Sequence, residues 1–259
     1  MKFTTYYLCV AILLLSFATM AQGKKKSDKN ATTPPAATVP VAKKDSVVAP
    51  TQNQEATSGF FNHFFNKYTV ATRFADYDVA RDALYDIIVE NPGNDSLLLT
   101  LGFLYYENQR YTSAALVGQE LLNRNPRNPV ALELAGTAFE ELKILDKALQ
   151  NFESLYLATN SFAALYKVAF LQFDLKRYKE AQANADIMLT RKEADEMTVS
   201  YVTAEKQNKD YPIRISVLNL LGMIAKESGD PSSAKKYYEQ ALAKAPDFLP
   251  AKENLAKLK

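Results

Sequence analysis

The sequence predicts an all-α solenoid built from about five helix pairs, in which the favoured interpretation of one insertion is a short β-hairpin. The first observation behind this prediction is internal repetition. Leu98–Leu104 and Leu165–Leu171 share one pattern and start 67 residues apart, close to two periods of about 34. The second is composition, because only 8 of the 259 residues are glycine and 47% are hydrophobic. Few glycines favour helices, and the hydrophobic fraction is sufficient for a buried core.

Residues 1–21 have the features of a signal peptide. A lysine near the start is followed by Leu8–Phe17, an apolar run too short to span a bilayer. Thr19 and Ala21 are small residues at the spacing that signal peptidase recognises. We therefore predict cleavage between Ala21 and Gln22; the alternative is a buried N-terminal helix.

Residues 22–57 predict a disordered linker rich in Lys, Pro and Ala. The segment has six lysines against three acidic residues and four prolines, and it has no aromatic residue. Such a composition buries too little apolar surface to offset the entropy of ordering. The linker is interpreted as a spacer or a basic tail, with a simple solvated leader as the alternative.

The repeat domain is predicted at residues 58–259. Its five units are placed at 61–94, 95–128, 129–161, 162–195 and 215–248. Each of the later four units has a small residue in its first helix and an alanine early in its second. The small residues are Gly102, Gly136, Ala169 and Gly222, and the alanines are Ala114, Ala148, Ala181 and Ala234.

This pattern resembles the tetratricopeptide repeat. The family's motif has a leucine, a small residue, an aromatic, an alanine in the second helix and a closing proline, and here these are Leu101, Gly102, Tyr105, Ala114 and Pro126. The resemblance covers nearly all of the repeat domain. It implies a right-handed superhelix whose first helices line a concave face. Tyr68 stands where the family prefers a small residue, so the first helix is expected to pack more loosely or to act as a cap.

The residue types of each unit have a packing rationale. A glycine inside a helix costs about 1 kcal/mol relative to alanine, so its repeated use implies a close approach of the paired helix. We therefore predict that Ala148 lies in a tight gap against Gly136. Proline cannot donate the next backbone hydrogen bond, which predicts that second helices end before Pro92, Pro126 and Pro246. Asp230 followed by Pro231 predicts a helix start.

Two segments depart from the repeat. Residues 196–214 are an insertion in which alternating residues flank a charged stretch, and we interpret it as two short strands around a turn. The alternative is an extended second helix followed by a loose loop. Residues 249–259 predict a C-terminal capping helix, with Leu255 and Leu258 facing inward and charges facing outward.

The sequence offers little for catalysis or metal binding. The net charge of +2 argues against nucleic acid and anionic membranes as partners. The only histidine is His63, and the only cysteine, Cys9, would leave with the signal peptide. A zinc site needs three or four ligands, and we recognise no phosphate-binding loop or catalytic triad. We predict no enzyme activity, no cofactor and no metal.

The resemblance implies a protein or peptide partner bound on the concave face. Residues one step round from the packing face of each first helix are the expected groove residues. They are Asn62, Phe65, Asn66, Thr69, Leu99, Phe103, Tyr106, Glu133, Thr137, Glu140, Tyr166, Phe170, Phe173, Asn219 and Met223. The alternative is that the aromatics only thicken the core between first helices.

These expectations lead to a non-catalytic interaction scaffold of the cell envelope. The alternative is a permanent structural subunit of an envelope assembly. The predicted signal peptide implies export, with the bacterial periplasm or envelope favoured over an extracellular location, and no membrane insertion of the mature chain is expected.

Overall fold

Helix pairs make up most of the chain that the computed structural model describes. Backbone is described for residues 52–258 and side chains from Gly59, and Ser58–Lys259 form one compact unit. The elements are α1 (Gln52–Arg73), α2 (Tyr77–Glu90), α3 (Asp95–Glu107), α4 (Tyr111–Arg124), α5 (Pro129–Glu141), α6 (Leu145–Thr159), α7 (Phe162–Asp174), α8 (Tyr178–Thr190), α9 (Glu193–Glu196), β1 (Thr198–Val202), β2 (Asn208–Pro212), α10 (Ile213–Glu227), α11 (Pro231–Lys244) and α12 (Leu249–Ala256). The predicted signal peptide and most of the predicted linker lie outside the described residues.

Consecutive helices pack as pairs, and successive pairs stack on one another. Helix α3 packs on α4, α5 on α6, α7 on α8, and α10 on α11. Each second helix also contacts the first helix of the next pair, as α4 contacts α5 and α6 contacts α7. The predicted α-helical solenoid is therefore confirmed.

Helix α1 differs from the later first helices. It begins at Gln52, so residues 52–57, assigned above to a disordered linker, are helical. The reason is local, because no proline follows Pro50 until Pro92 and the glutamines, Glu55 and Ala56 favour a helix. The Lys67 ammonium of α1 lies 2.5 Å from Asp82 Oδ2 of α2. Tyr68, which stands where the repeat motif prefers a small residue, is half-buried.

Helix ends follow the predicted signals. The Asp230 side chain accepts a hydrogen bond of 2.9 Å from the Ser233 backbone N–H, and Pro231 is the first residue of α11. The Asn128 side chain caps α5 in the same way, ahead of Pro129. Helices α2, α4 and α11 each end two residues before the predicted terminating proline. Local chemistry therefore sets where these helices begin and end.

The turn inside each helix pair has the same backbone conformation. One residue in each turn has a positive φ, and these residues are Ala75, Gln109, Lys143, Lys176 and Gly229. After each of them, a backbone N–H reaches back across the turn, for example from Arg110 to the Tyr105 carbonyl oxygen at 2.8 Å. This closes each first helix with a left-handed residue, and only the last of the five positions is glycine.

Small residues of the first helices make room for large residues of the second helices. A Cβ atom at Gly136 would lie 3.0 Å from Cε2 of Phe152. The nearest atoms to this Cβ position belong to Phe152, one helical turn beyond the predicted Ala148, and Ala148 itself is fully buried. Gly222 likewise faces the ring of Tyr238, one turn beyond Ala234. At both positions the closest contact of the glycine is with an aromatic ring of the second helix.

The insertion contains the predicted hairpin. Strands β1 and β2 are antiparallel, with Val199 opposite Tyr211 and Tyr201 opposite Lys209. The extended second helix is excluded, because α8 ends at Thr190. The insertion also ends earlier than predicted, since Ile213 and Arg214 belong to α10.

Tyrosines of the hairpin attach it to the last helix pair. Tyr201 and Tyr211 pack edge-on against Phe248, with ring centroids 4.9 and 5.1 Å away. The Tyr211 hydroxyl donates to Asp247 Oδ2 at 3.0 Å, and burial raises the pKa of Tyr211 to about 12. Helix α12 completes this end, with Leu255 and Leu258 half-buried against the same cluster as expected of a cap.

Candidate partner-binding groove

The first helices lie side by side and bring most of the predicted groove residues to one surface. Helix α3 contacts α5, and α10 contacts α12. Side-chain hydrogen bonds join α5 to α7 and α7 to α10. We call the surface formed by the predicted residues of α3, α5 and α7 the candidate groove; it comprises Leu99, Phe103, Tyr106, Glu133, Thr137, Glu140, Tyr166, Phe170 and Phe173.

Apolar side chains form the α3 side of the candidate groove. Leu99, Phe103 and Tyr106 are half-buried and pack against the core cluster beneath them. The ring of Tyr106 meets that of Tyr111 at the start of α4, with centroids 5.4 Å apart. Each of these side chains therefore contributes to the core on one side and remains accessible on the other.

Helix α7 forms a second apolar side. Tyr166 and Phe170 have ring centroids 4.5 Å apart, and Phe173 meets Tyr178 of α8 at 5.6 Å. All three predicted residues are half-buried on a neighbouring core cluster. The contact of Phe173 with Tyr178 repeats that of Tyr106 with Tyr111 in the earlier pair.

Polar side chains from α5 separate the two apolar sides. The Lys167 ammonium donates to both carboxylate oxygens of Glu140, at 3.0 and 2.9 Å. The Thr137 hydroxyl donates to the backbone oxygen of Glu133 at 2.8 Å. Burial raises the pKa of the Glu133 carboxyl, and the charge of Lys167 opposes that rise. Burial also raises the pKa of Asp174, where Glu140 adds to the effect and Lys143 opposes it.

The predicted groove residues of α1 are solvent-exposed. Asn62, Asn66 and Thr69 are exposed, and Phe65 is 47% exposed while stacking on Phe61 at 5.9 Å. The Thr69 hydroxyl donates to the backbone oxygen of Phe65 at 2.8 Å. These side chains are reachable from solvent, and they belong to α1 rather than to the three helices that form the candidate groove.

The α10 end of the predicted groove is covered by the chain itself. Asn219 is only 6% exposed, because Asn254 of α12 donates to its side-chain oxygen at 3.0 Å. Asn219 in turn donates to the sulfur of Met223 at 3.4 Å. Asn219 is therefore corrected from a groove residue to a buried contact between helices, while Met223 stays half-buried.

Tyr201 and Ser216 also lie at this end of the candidate groove, although the sequence does not predict them there. The hydroxyls of Tyr166 and Tyr201 both lie within hydrogen-bond distance of Ser216 Oγ, at 2.9 and 2.7 Å. Ser216 is fully buried. The hairpin thus reaches the border of the candidate groove through Tyr201. No sequence signal places Tyr201 beside Tyr166, because the two residues meet only when the insertion folds back.

The described residues offer few groups for catalysis or metal binding. His63 is exposed and lies edge-on to Phe64 at 5.2 Å. Across the part of the chain that the structure describes, no cluster of three or more His, Cys, Asp or Glu side chains could hold a metal ion. None of the helices between residues 52 and 258 combines the length and hydropathy needed to cross a bilayer.

Comparisons with known proteins support the repeat assignment. Residues 215–248 match the family model of the tetratricopeptide repeat, and these are the bounds predicted for the fifth unit. The search among curated proteins gave no match.

Solved structures share the fold at low sequence identity. A tetratricopeptide repeat protein from Parabacteroides merdae ATCC 43184 has a TM-score of 0.61 at 19% identity, covering 77% of this chain and 72% of that one. The MamA protein has a TM-score of 0.58 at 16% identity, covering 73% and 93%. YrrB, described as a TPR protein with an unusual peptide-binding site, has a TM-score of 0.59 at 12% identity, covering 73% and 89%.

Proposed function

Because this chain is built on the tetratricopeptide-repeat fold, we propose that it is a non-catalytic protein–protein interaction scaffold that binds a segment of a partner protein in the candidate groove. The observation that carries the proposal is the pair of half-buried apolar sides on α3 and α7. Large apolar side chains that stay accessible on a folded surface are typical anchors for a partner, and aromatic anchors dominate many interfaces.

A second candidate function is a permanent structural subunit held through a broad face. The exposed aromatics of the first helix pair favour it. Phe60 is 60% exposed, Phe65 is 47% exposed, and Phe74, just after α1, is 76% exposed. A stoichiometric complex that survives purification would favour this subunit role, and a monomer that binds short segments reversibly would favour the groove.

Substitutions of the aromatic anchors test the groove directly. Phe103→Ala or Phe170→Ala should weaken partner binding by about 2 kcal/mol or more, which is roughly 30-fold in affinity. The partner is first identified by cross-linking and co-purification from the native host, and its affinity is then measured by titration. Leu116→Ala is the matched control, because Leu116 is 61% exposed on the second helix α4.

The stability of the same variants separates the groove from the core alternative. If Phe103 and Phe170 were only core residues, the substitutions would cost about 3–5 kcal/mol of unfolding free energy. Unchanged affinity in the molecules that remain folded would remove the candidate groove from the function.

Export to the cell envelope belongs to the same proposal. It is supported by the apolar run and the small residues before Gln22. Mass spectrometry of the protein from its native host should find a mature chain that begins at or near Gln22. A chain that keeps Met1 in most molecules would contradict export and the envelope location.

A further inference from the structure

The candidate groove has a definite order of chemistry across its helices. Leu99, Phe103 and Tyr106 of α3 form one apolar side, and the aromatics of α7 form the other. Between them lies Glu133 of α5. Packed helices have axes about 8–10 Å apart, so each apolar side lies roughly that far from the polar strip. A segment that crosses the three helices therefore meets apolar, acidic and apolar chemistry in turn.

The Glu133 carboxylate is the charge of this strip to which Lys167 donates no hydrogen bond, although the charge of Lys167 acts on it. The nearby cation, Lys167, donates to both oxygens of Glu140, and its ammonium also lies 5.9 Å from the Phe152 ring. Among the residues that the structure describes, no side chain donates a hydrogen bond to the Glu133 carboxylate, and burial raises its pKa. A half-buried carboxylate without a donor costs stability. A cation supplied by a bound partner would remove that cost.

We propose that the bound segment carries a Lys or Arg side chain between two apolar residues, and that this cation pairs with Glu133 while the apolar residues contact α3 and α7. The inference rests on the proposed function, and it adds the chemistry of the partner. Charge complementarity carries it, because a cation of the partner would donate a hydrogen bond to the carboxylate that receives none from Lys167. An apolar or acidic central residue would bury Glu133 further without a side-chain donor.

The test uses a library of 12-residue peptides displayed on phage and selected on the immobilised full-length protein. Peptides that bind the wild type should be enriched in Lys or Arg between apolar residues. In parallel selections, Glu133→Gln should lose the basic preference and keep the apolar one. Glu141→Gln is the matched control, because Glu141 lies eight residues after Glu133 on α5, about 12 Å further along the helix axis and turned about 80° round it, and it should keep both preferences.

Affinities complete the test. Replacing the central Lys or Arg of a selected peptide with Gln should weaken binding to the wild type about tenfold, the size expected for one hydrogen bond to a charged group. The same peptide change should have less than a twofold effect on Glu133→Gln. The melting temperature of Glu133→Gln should be unchanged or higher, because the substitution removes a buried charge, and this excludes misfolding as the cause.

The outcomes distinguish this inference from the proposed function. Enriched peptides without a basic preference, or a basic preference that survives in Glu133→Gln, would overturn the inference while leaving groove binding intact. If no peptides are enriched, or if they bind Phe103→Ala as well as the wild type, both the inference and groove binding fail.

Discussion

Replacing Gly222 with leucine should lower the free energy of unfolding by about 3 kcal/mol, at the upper end of the usual cost of overpacking. A Cβ atom at this position would lie 2.3 Å from Cε1 and 2.6 Å from Cδ1 of Tyr238. The Tyr238 side chain is fully buried, so its ring has no free space into which it can move. Denaturant unfolding of the variant beside the wild type measures the effect.

Two further variants make this prediction specific. Gly59→Ala is the matched control, because Gly59 is also helical but has no neighbouring atom within 4 Å of a new Cβ. It should be neutral or stabilise the chain by up to about 1 kcal/mol. In the Tyr238→Ala variant, adding Gly222→Leu should lower the free energy of unfolding by much less, because the Tyr238 ring no longer fills the gap. If Gly222→Leu lowered the free energy of unfolding equally in the wild type and in Tyr238→Ala, Gly222 would not face Tyr238.

Phe248→Ala should cost about 3–5 kcal/mol, which is typical of a buried phenylalanine. Phe248 is fully buried and contacts both hairpin tyrosines, Tyr201 and Tyr211. In a repeat array each pair contacts only its neighbours, so the damage should be concentrated in the hairpin, α11 and α12. Hydrogen exchange measured by mass spectrometry should show lost protection there before it appears in α3–α6.

The outer face of the hairpin provides the comparison for Phe248. Val202 is 48% exposed, so Val202→Ala should change stability by no more than about 0.5 kcal/mol. Uniform loss of protection from α2 to α12 in Phe248→Ala would contradict a nearest-neighbour array. Unchanged protection of the hairpin would show that Phe248 does not hold it.

Features that depend on local chemistry could be predicted from the sequence. The cap at Asp230, the helix ends before Pro126 and Pro246, and the hairpin all follow from residues adjacent in the chain. The repeat period also places the first and second helices. Of the candidate groove, the apolar sides on α3 and α7 could be predicted, because one helical face follows from residue spacing alone.

Contacts between distant residues could not be predicted in this way. Periodicity indicated that Gly136 faces α6, but it could not choose between Ala148 and Phe152, which lie one turn apart on the same face. Helical spacing alone places Asn219 in the groove, since nothing near it in the chain indicates that Asn254 covers it. Which residues meet depends on the offset of one helix along the axis of its neighbour. Many side chains together determine that offset.

The sequence by itself determined the repeat and the helix ends marked by caps and prolines, because propensities and caps act over a few residues. It favoured the hairpin in the insertion without excluding an extended helix. Tertiary structure alone decided that the groove is closed at α10 and that Lys167 pairs with Glu140 rather than Glu133. It also decided the left-handed turns, where Ala75, Gln109 and Lys143 adopt a conformation that favours glycine. Packing of each helix pair holds those turns, because the surrounding contacts outweigh the local preference of a single residue.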